Sequence, residues 1–316
     1  MLITGGSGFI GSHLAAEYLA KGNSVSILDN ISTGDISNLG SNFDRVNFTK
    51  GEIQDSDLVE DLVSKSDLVL HMAAALGVSN IMNRPLESIS TNVLGSQVVL
   101  EAAAKYKKRI LIASTSEIYG KNPNQPLSEE DDRVVGTPQN FRWSYSDAKA
   151  LEESMASALF FQKKLQVTTV RFFNTVGPRQ SGTYGMVLPR FVESALKNEE
   201  ILIHGTGEQT RVFCHVYDAV QAITGLIANL GTVGKVYNVG GAGEISINQL
   251  AERVIALTNS RSSMRHIPYT DVYPHGFEDM QRRVPNISKI GREIGWFPSK
   301  SIDQIILDVA ENLRKI

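Results

Sequence analysis

A short apolar run, Leu2-Ile3, passes into Thr4-Gly5-Gly6-Ser7-Gly8-Phe9-Ile10-Gly11 and then into the helix-like Ser12-His13-Leu14-Ala15-Ala16. No other segment restricts the fold as much. Glycines at 5, 8 and 11 let the chain turn tightly, bring its backbone against a pyrophosphate and press helix onto strand, with the helix N-terminus facing the anion. A glycine-rich run alone is weak evidence, but here a strand precedes it, a helix follows it, and an acid, Asp29, closes the next apolar run.

Asp29 stands where a ribose diol would donate to it. The following Asn30-Ile31-Ser32-Thr33-Gly34 contains no Arg or Lys for a 2′-phosphate, so the pattern favours NAD over NADP. Apolar runs at 2–4, 24–28, 46–48, 68–71, 110–113 and 167–172 alternate with amphipathic stretches at 9–21, 55–64, 87–106 and 142–163. Strands alternating with helices predict an α/β protein built on a doubly wound parallel sheet. After Asn174 the pattern loosens and Gly and Pro punctuate it, with helices expected at 247–257 and 302–313. No repeat or linker separates this half, which is expected to form a smaller domain (174–316) packed on the first (1–173), with parts returning to the main sheet.

The second chemical signal is Tyr145 four residues before Lys149, thirty residues after Thr115. Residues four apart share a helix face. A tyrosine phenol titrates near ~10, so a phenolate base near neutrality needs a fall of roughly three units, about 4 kcal/mol. The Lys149 ammonium is expected to supply much of that, since a nearby positive charge favours phenolate. Thr115 would hydrogen-bond the same substrate oxygen. Such a base suits taking a proton from an alcohol while a hydride leaves the same carbon. The spacing alone is common on surface helices; the dinucleotide fingerprint gives it meaning.

Composition removes other classes. With 316 residues, a net charge of −3 and no basic stripe, nucleic acid is not expected as a partner. Cys214 is the only cysteine, so neither an intrachain disulfide nor a cysteine metal cage is available, and no metal site is expected. No apolar run reaches the roughly 18 residues of a membrane span, and no basic leader precedes Leu2. The expectation is a soluble cytoplasmic enzyme. His71 closes a strand as His71-Met72-Ala73-Ala74-Ala75, where small residues allow close cofactor approach; the histidine itself is assigned no chemistry.

Taken in order, the glycine fingerprint, Asp29, His71-Met72-Ala73-Ala74, Thr115 and Tyr145-x-x-x-Lys149 resemble the extended short-chain dehydrogenase/reductase family, and within it the nucleotide-sugar epimerases, dehydratases and decarboxylases. The resemblance spans essentially the whole chain. It implies a Rossmann-type domain holding NAD, a C-terminal α/β domain holding a nucleoside-diphosphate sugar such as a UDP-sugar, and a homodimer built on the helices near 87–106 and 142–163. It also implies cofactor contacts from Gly5, Gly8, Phe9, Ile10 and Gly11 at the pyrophosphate. Asp29, Asn30, Ser32, Thr33, Gly34, Glu52 and Ile53 would meet the adenosine half, and Met72, Ala73, Ala74, Asn92, Tyr145, Lys149 and Phe172 the remainder.

Later segments match residue by residue. Arg171-Phe172-Phe173-Asn174-Thr175-Val176-Gly177-Pro178-Arg179 resembles the stretch whose Asn contacts the sugar diphosphate, which implicates Asn174. Tyr184-Gly185-Met186-Val187-Leu188-Pro189-Arg190 resembles the loop and helix over the nucleotide base, implicating Val187 and Arg190. The stretch from Ile203 to Arg211 resembles one whose Arg binds the diphosphate, and guanidinium geometry suits phosphate oxygens. Two departures stand out: Gly51-Glu52-Ile53 replaces the usual Gly-Asp-Ile/Leu near the adenine, and the first strand starts directly at Met1, which leaves open a short strand or a different start.

All members would begin alike, with Tyr145 taking the 4-hydroxyl proton and hydride passing to NAD; the branch lies after the 4-ketone. Thr115-Ser116-Glu117 resembles the Thr-Ser-Glu of UDP-glucuronate decarboxylases and GDP-mannose-type dehydratases. Simple 4-epimerases commonly lack the Glu, and dTDP-glucose-type dehydratases carry an Asp at the Ser116 position. Gly276-Phe277-Glu278-Asp279-Met280-Gln281-Arg282-Arg283-Val284 resembles the decarboxylase segment whose Arg faces the substrate carboxylate, here Arg283, although Val284 replaces a Lys; in 4-epimerases the corresponding segment supplies an Arg to the diphosphate instead, a role Arg283 would also fit. Phe141-Arg142-Trp143 is also decarboxylase-like. The sequence therefore places decarboxylation ahead of 4-epimerisation, with dehydration third. A non-catalytic NAD-binding regulator would typically lack the Tyr-Lys pair or the diphosphate ligands, and this chain keeps both.

Overall fold

A computed structural model describes residues 1–182, 186–273 and 278–315. Seven parallel strands form the central sheet. The first six are β1 (Leu2–Thr4), β2 (Ser26–Asp29), β3 (Asn47–Lys50), β4 (Leu68–His71), β5 (Arg109–Thr115) and β6 (Val167–Phe172). Between them run helices α1 (Phe9–Ala20), α2 (Ser56–Ser64), α3 (Val78–Asn83), α4 (Pro85–Ser90), α5 (Ser96–Lys105) and α6 (Ser144–Lys163). A π-helical turn at Thr91–Gly95 joins α4 to α5.

The second half continues through β7 (Thr175–Val176), α7 (Val187–Leu196), β8 (Ile201–His204), β9 (Thr210–Val212), β10 (Cys214–His215), α8 (Val216–Ala228) and β11 (Val236–Val239). It then adds β12 (Glu244–Ser246), α9 (Ile247–Thr258), β13 (Met264–Ile267), β14 (Arg282–Arg283), α10 (Ser288–Ile294) and α11 (Ile302–Leu313). The main sheet has the order β11-β6-β5-β4-β1-β2-β3. Order reverses between β1 and β4, whose registered neighbours are Ile3 with Leu70 and Thr4 with His71. Helices leave these strands toward opposite faces, so a crevice opens at their C-terminal ends.

The strands are apolar nearly throughout because both faces are covered. Ile3, Ile27, Leu70, Leu111 and Val170 join one core with Leu14 of α1 and Ile223 of α8. Leu28, Val69, Ile110 and Ile112 join the other with Val59 of α2 and Val99 of α5. The chain crosses back into this body after Asn174: β11 pairs with β6, and Tyr237, Val239, Ile290 and Trp296 pack in the first core. A separate core of Leu188, Phe191, Ile203, Leu250, Val254 and Ile306 holds α7, α9 and α11 together. An internal polar knot locks the seam. Arg171 forks onto Glu153 of α6 at 3.0 and 2.7 Å and donates to the Tyr119 hydroxyl, which donates to Asn238 of β11 at 2.7 Å. Among the described residues, no helix is long and apolar enough to cross a membrane.

Candidate active site

The β1–α1 turn is fixed by close backbone contact. Gly5 sits at φ +70°, and a Cβ there would lie 2.7 Å from the Ala73 nitrogen; a Cβ on Gly11 would meet the Gly5 carbonyl at 2.2 Å. Only glycine lets β1, α1 and the end of β4 converge this tightly. Helix α1 starts at Gly8 with no side-chain cap, so its first amides are offered to a ligand. Asp29 organises this end, accepting from the Ser7 amide at 2.9 Å and the Ile31 amide at 2.8 Å. Asn30 holds the Ser32 amide at 2.9 Å and donates to Glu52 at 2.9 Å, so the longer acid is used inside the loop pair.

A cleft of about 1160 Å³ runs from this cradle across the switch point into the second half. Its first part is lined by the glycines of the turn with Phe9 and Ile10, then by Ser32, Thr33, Gly34 and Ile53. Met72, Ala73 and Ala74 floor its middle, with Phe172 at the end of β6. Length, cradle, uncapped helix and acid together fit a dinucleotide.

Thr115, Ser116, Glu117 and Tyr145 all line the same cleft. Thr115 ends β5 and caps the short turn after it, accepting from the Glu117 amide at 3.2 Å. Tyr145 lies in the first turn of α6. Burial, then the carboxylates of Glu152 and Glu117, push its phenol above the ordinary tyrosine value. Lys149, expected to lend positive charge to that phenol, lies one turn on along α6. Its side chain is fully buried outside the cleft, and its ammonium donates to Glu152, also fully buried, at 2.7 Å.

Glu117 sits between two guanidiniums, Arg142 and Arg283, with both of which it forms ion pairs. Burial opposes its charge, but Arg142 and Arg283 hold its carboxyl well below the usual range. Arg283 also donates from Nη2 to Asn174 Oδ1 at 2.7 Å, and its buried Nε–H has no partner among the described residues. Asn174 in turn donates to the Val212 carbonyl at 2.9 Å. Beyond this cluster, Arg211 pairs with Asp279 at 2.8 Å. Arg190 of α7 reaches His204 Nε2 at 2.6 Å, with Tyr273 3.1 Å from the other ring nitrogen, and Val187 opens the same wall.

Two assignments change. The Ile203 side chain is buried in the core of the second half and does not line the cleft. Asn92, turned inward by the π turn, bonds both backbone groups of Ala75 at 2.9 Å, so it pins the loop that borders the cleft and is itself covered. Tyr184, Gly185, Gly276 and Phe277 lie outside the described residues. Sequence reasoning passed over Glu152, Asp279 and His204. Spacing offered a signal for Glu152, three residues from Lys149 on one helix face. Nothing local marks Asp279, 68 residues from its arginine.

Comparison with known proteins agrees with this geometry. The family model described as GDP-mannose 4,6 dehydratase matches residues 2–309. A UDP-N-acetyl-alpha-D-glucosaminuronate decarboxylase of Bacillus cytotoxicus is 40% identical over 316 residues, covering 100% of this chain and 98% of that protein. The crystal structure of a UDP-glucose 4-epimerase with UDP-glucose from Thermotoga maritima superposes with a TM-score of 0.90 at 29% identity, covering 99% of this chain and 98% of that one. A Thermus thermophilus UDP-glucose 4-epimerase in complex with NAD gives 0.87 at 27% identity, covering 99% and 98%.

Proposed function

The chain belongs to the GDP-mannose 4,6-dehydratase family, within the nucleotide-sugar group of extended short-chain dehydrogenases/reductases, and on that premise we propose that it decarboxylates a UDP-linked hexuronate through a transient 4-ketone, with NAD as cofactor. The observation that carries this reading is the pair of buried guanidiniums on one carboxylate. Arg142 and Arg283 leave a net positive charge beside Tyr145, and the unused Nε–H of Arg283 is a donor for a second carboxylate. A substrate carboxyl at C6 fits that chemistry.

The glycine cradle and Asp29 would hold NAD, which supplies a hydride acceptor at C4. Tyr145 takes the 4-hydroxyl proton, with Thr115 and Ser116 orienting the oxygen. The resulting ketone is β to the C6 carboxylate; the C5–C6 bond breaks, carbon dioxide leaves, and the electron pair passes into a C4–C5 enolate that is then protonated at C5, after which return of the hydride to C4 and of the proton from Tyr145 to its oxygen would restore the alcohol and the oxidised cofactor. Asn174, Arg190 and Arg211 are proposed to hold the diphosphate end, with Val187 at the base. Dehydration needs a base at C5, and a carboxylate held as far down as Glu117 is a poor one. Decarboxylation needs none. The second reading is 4-epimerisation, favoured by the Thermotoga match.

Incubating the protein and NAD with UDP-glucuronate, UDP-N-acetylglucosaminuronate, UDP-glucose and GDP-mannose, then weighing products, tests this. Loss of carbon dioxide from a uronate is expected. An isomer of unchanged mass from UDP-glucose alone would transfer the assignment to epimerisation, and loss of water to dehydration. On the same footing we place the domain division after Phe173 and the protein in the cytoplasm. We also propose a homodimer, supported by exposed Leu86, Leu94 and Leu151 on the α4–α5 and α6 surfaces.

A further inference from the structure

Residues 175–180 run from β7 onto the first turns of α1 and are tied there twice. His13, the fifth residue of α1, has its Nε2 2.9 Å from the Pro178 carbonyl. A carbonyl only accepts, so the ring nitrogen donates. One residue on, the Arg179 guanidinium lies 3.4 Å from the Ser12 hydroxyl. Arg179 holds this place with its backbone at φ +69°, the left-handed region that long side chains rarely enter. Strain of this kind persists only where the surroundings impose it, and it gathers at ligand sites.

The side chains of this segment are short of partners. Arg179 is half-buried and lines the cleft, and among the described residues it makes no ion pair. Glu17, which lines a smaller pocket together with Arg179 and His13, is paired with Lys21 at 3.0 Å. Thr175 is 9% exposed, yet its hydroxyl has no partner among the described residues. The same holds for the buried Oε1 of Gln180, whose side-chain nitrogen donates to the Thr175 carbonyl at 3.0 Å. Both residues line the cleft. Unpaired buried polar groups are costly, so a cation, a hydroxyl and a carbonyl left open on one short segment fit a ligand that brings phosphate oxygens and a sugar hydroxyl.

We propose that Arg179 binds the pyrophosphate of NAD, closing from the second half of the chain the anion site that the glycine turn opens in the first, with Thr175 and Gln180 beside it. The uncapped start of α1 already favours an anion, and Arg179 is the cation that stands against the same turn. A guanidinium suits two phosphate oxygens at once. Arg190 and Arg211, proposed for the substrate diphosphate, are engaged by His204 and Asp279. Of the three, it is Arg179 that reaches α1 and has no such partner. The inference rests on NAD being the cofactor of the proposed reaction, and it adds a ligand that lies outside the glycine fingerprint.

Arg179→Asn removes the cation and puts in its place a residue at ease with positive φ. After charcoal has removed any carried-over nucleotide, the full chain is titrated calorimetrically with NAD and, separately, with UDP. NAD is expected to bind the variant about 10- to 100-fold more weakly, the loss of one charge-assisted contact. UDP should stay within about twofold of wild type. Arg179→Lys, which keeps the charge without the fork, should recover part of the NAD affinity. Unchanged NAD binding by Arg179→Asn, or an equal loss for UDP, overturns the proposal. Should the variants fail to fold, phenylglyoxal labelling of wild type, read by mass spectrometry, still decides: NAD is expected to shield Arg179 and UDP to leave it reactive, and labelling undiminished by NAD overturns the inference. No turnover is needed, so failure to decarboxylate uronates would leave a positive result standing, whereas a wild type that does not bind NAD would remove both readings.

Discussion

Replacing Arg283 with alanine isolates the group on which substrate choice depends. In the structure its guanidinium bonds Glu117 through Nη1 and Asn174 through Nη2, at 2.7 Å for the latter. Alanine leaves Glu117 and Arg142 as a one-to-one pair, so the excess positive charge beside Tyr145 disappears. A uronate carboxylate then loses the charge-assisted hydrogen bond from Nε, worth about 3 kcal/mol at the upper end. That corresponds to a roughly 150-fold weaker dissociation constant. Calorimetric titration in the presence of NAD, with UDP-glucuronate and UDP-glucose compared, measures it. UDP-glucose carries no carboxylate and should lose less than about fivefold, roughly 1 kcal/mol. Arg283→Lys keeps charge but cannot fork, and should fall between. An equal loss for both ligands, or a loss under about fivefold for the uronate, refutes the carboxylate argument.

Three more outcomes follow from the geometry. Tyr145→Phe should lower product formation about 10²–10⁴-fold with every sugar tried while UDP binding holds, and turnover near wild type would remove it as the base. Gly11→Ala drives a Cβ to 2.2 Å from the Gly5 carbonyl and 2.8 Å from the Gly6 Cα. Backbone cannot yield as a side chain does, so a cost of about 3 kcal/mol and loss of NAD retention are expected; an unchanged Tm in thermal unfolding would contradict the cradle. Finally, His71 is depressed from 6.5 to about 3, burial first and Lys149 second. The unfolded chain then binds a proton that the native state refuses, so stability present above pH 6.5 is lost as pH falls toward 3, by about 1.4 kcal/mol per unit. His71→Gln should flatten that slope of unfolding free energy by one proton, and an unaltered slope would mean that another group carries it.

Much of this was legible in order along the chain. Leu2 to Gly11, Asp29 and the alternating apolar runs define the doubly wound sheet because parallel strands buried on both faces must be apolar throughout, and because a tight β1–α1 turn admits little but glycine. These are local constraints, and local sequence displays them. Tyr145, Thr115 and Glu117 were equally visible, since each sits at an element boundary next to the switch point.

Tertiary structure decided which charges meet. Lys149 sits four residues from Tyr145, and spacing alone pairs the two; packing α6 against α5 buries it with Glu152 beside Ser96. Arg283 lies 166 residues from Glu117, and only the return of β14 beside β9 brings its guanidinium to the far side of a carboxylate already held by Arg142. Asn92 and Ile203 lost their expected places in the cleft for the same reason: a side chain's direction depends on what its element packs against. Sequence determined the scaffold and the chemistry available to it, because periodicity and turn geometry act over a few residues. The balance of charge at the reacting centre belongs to the fold, because electrostatic interaction depends on distance and burial, which no spacing along the chain records.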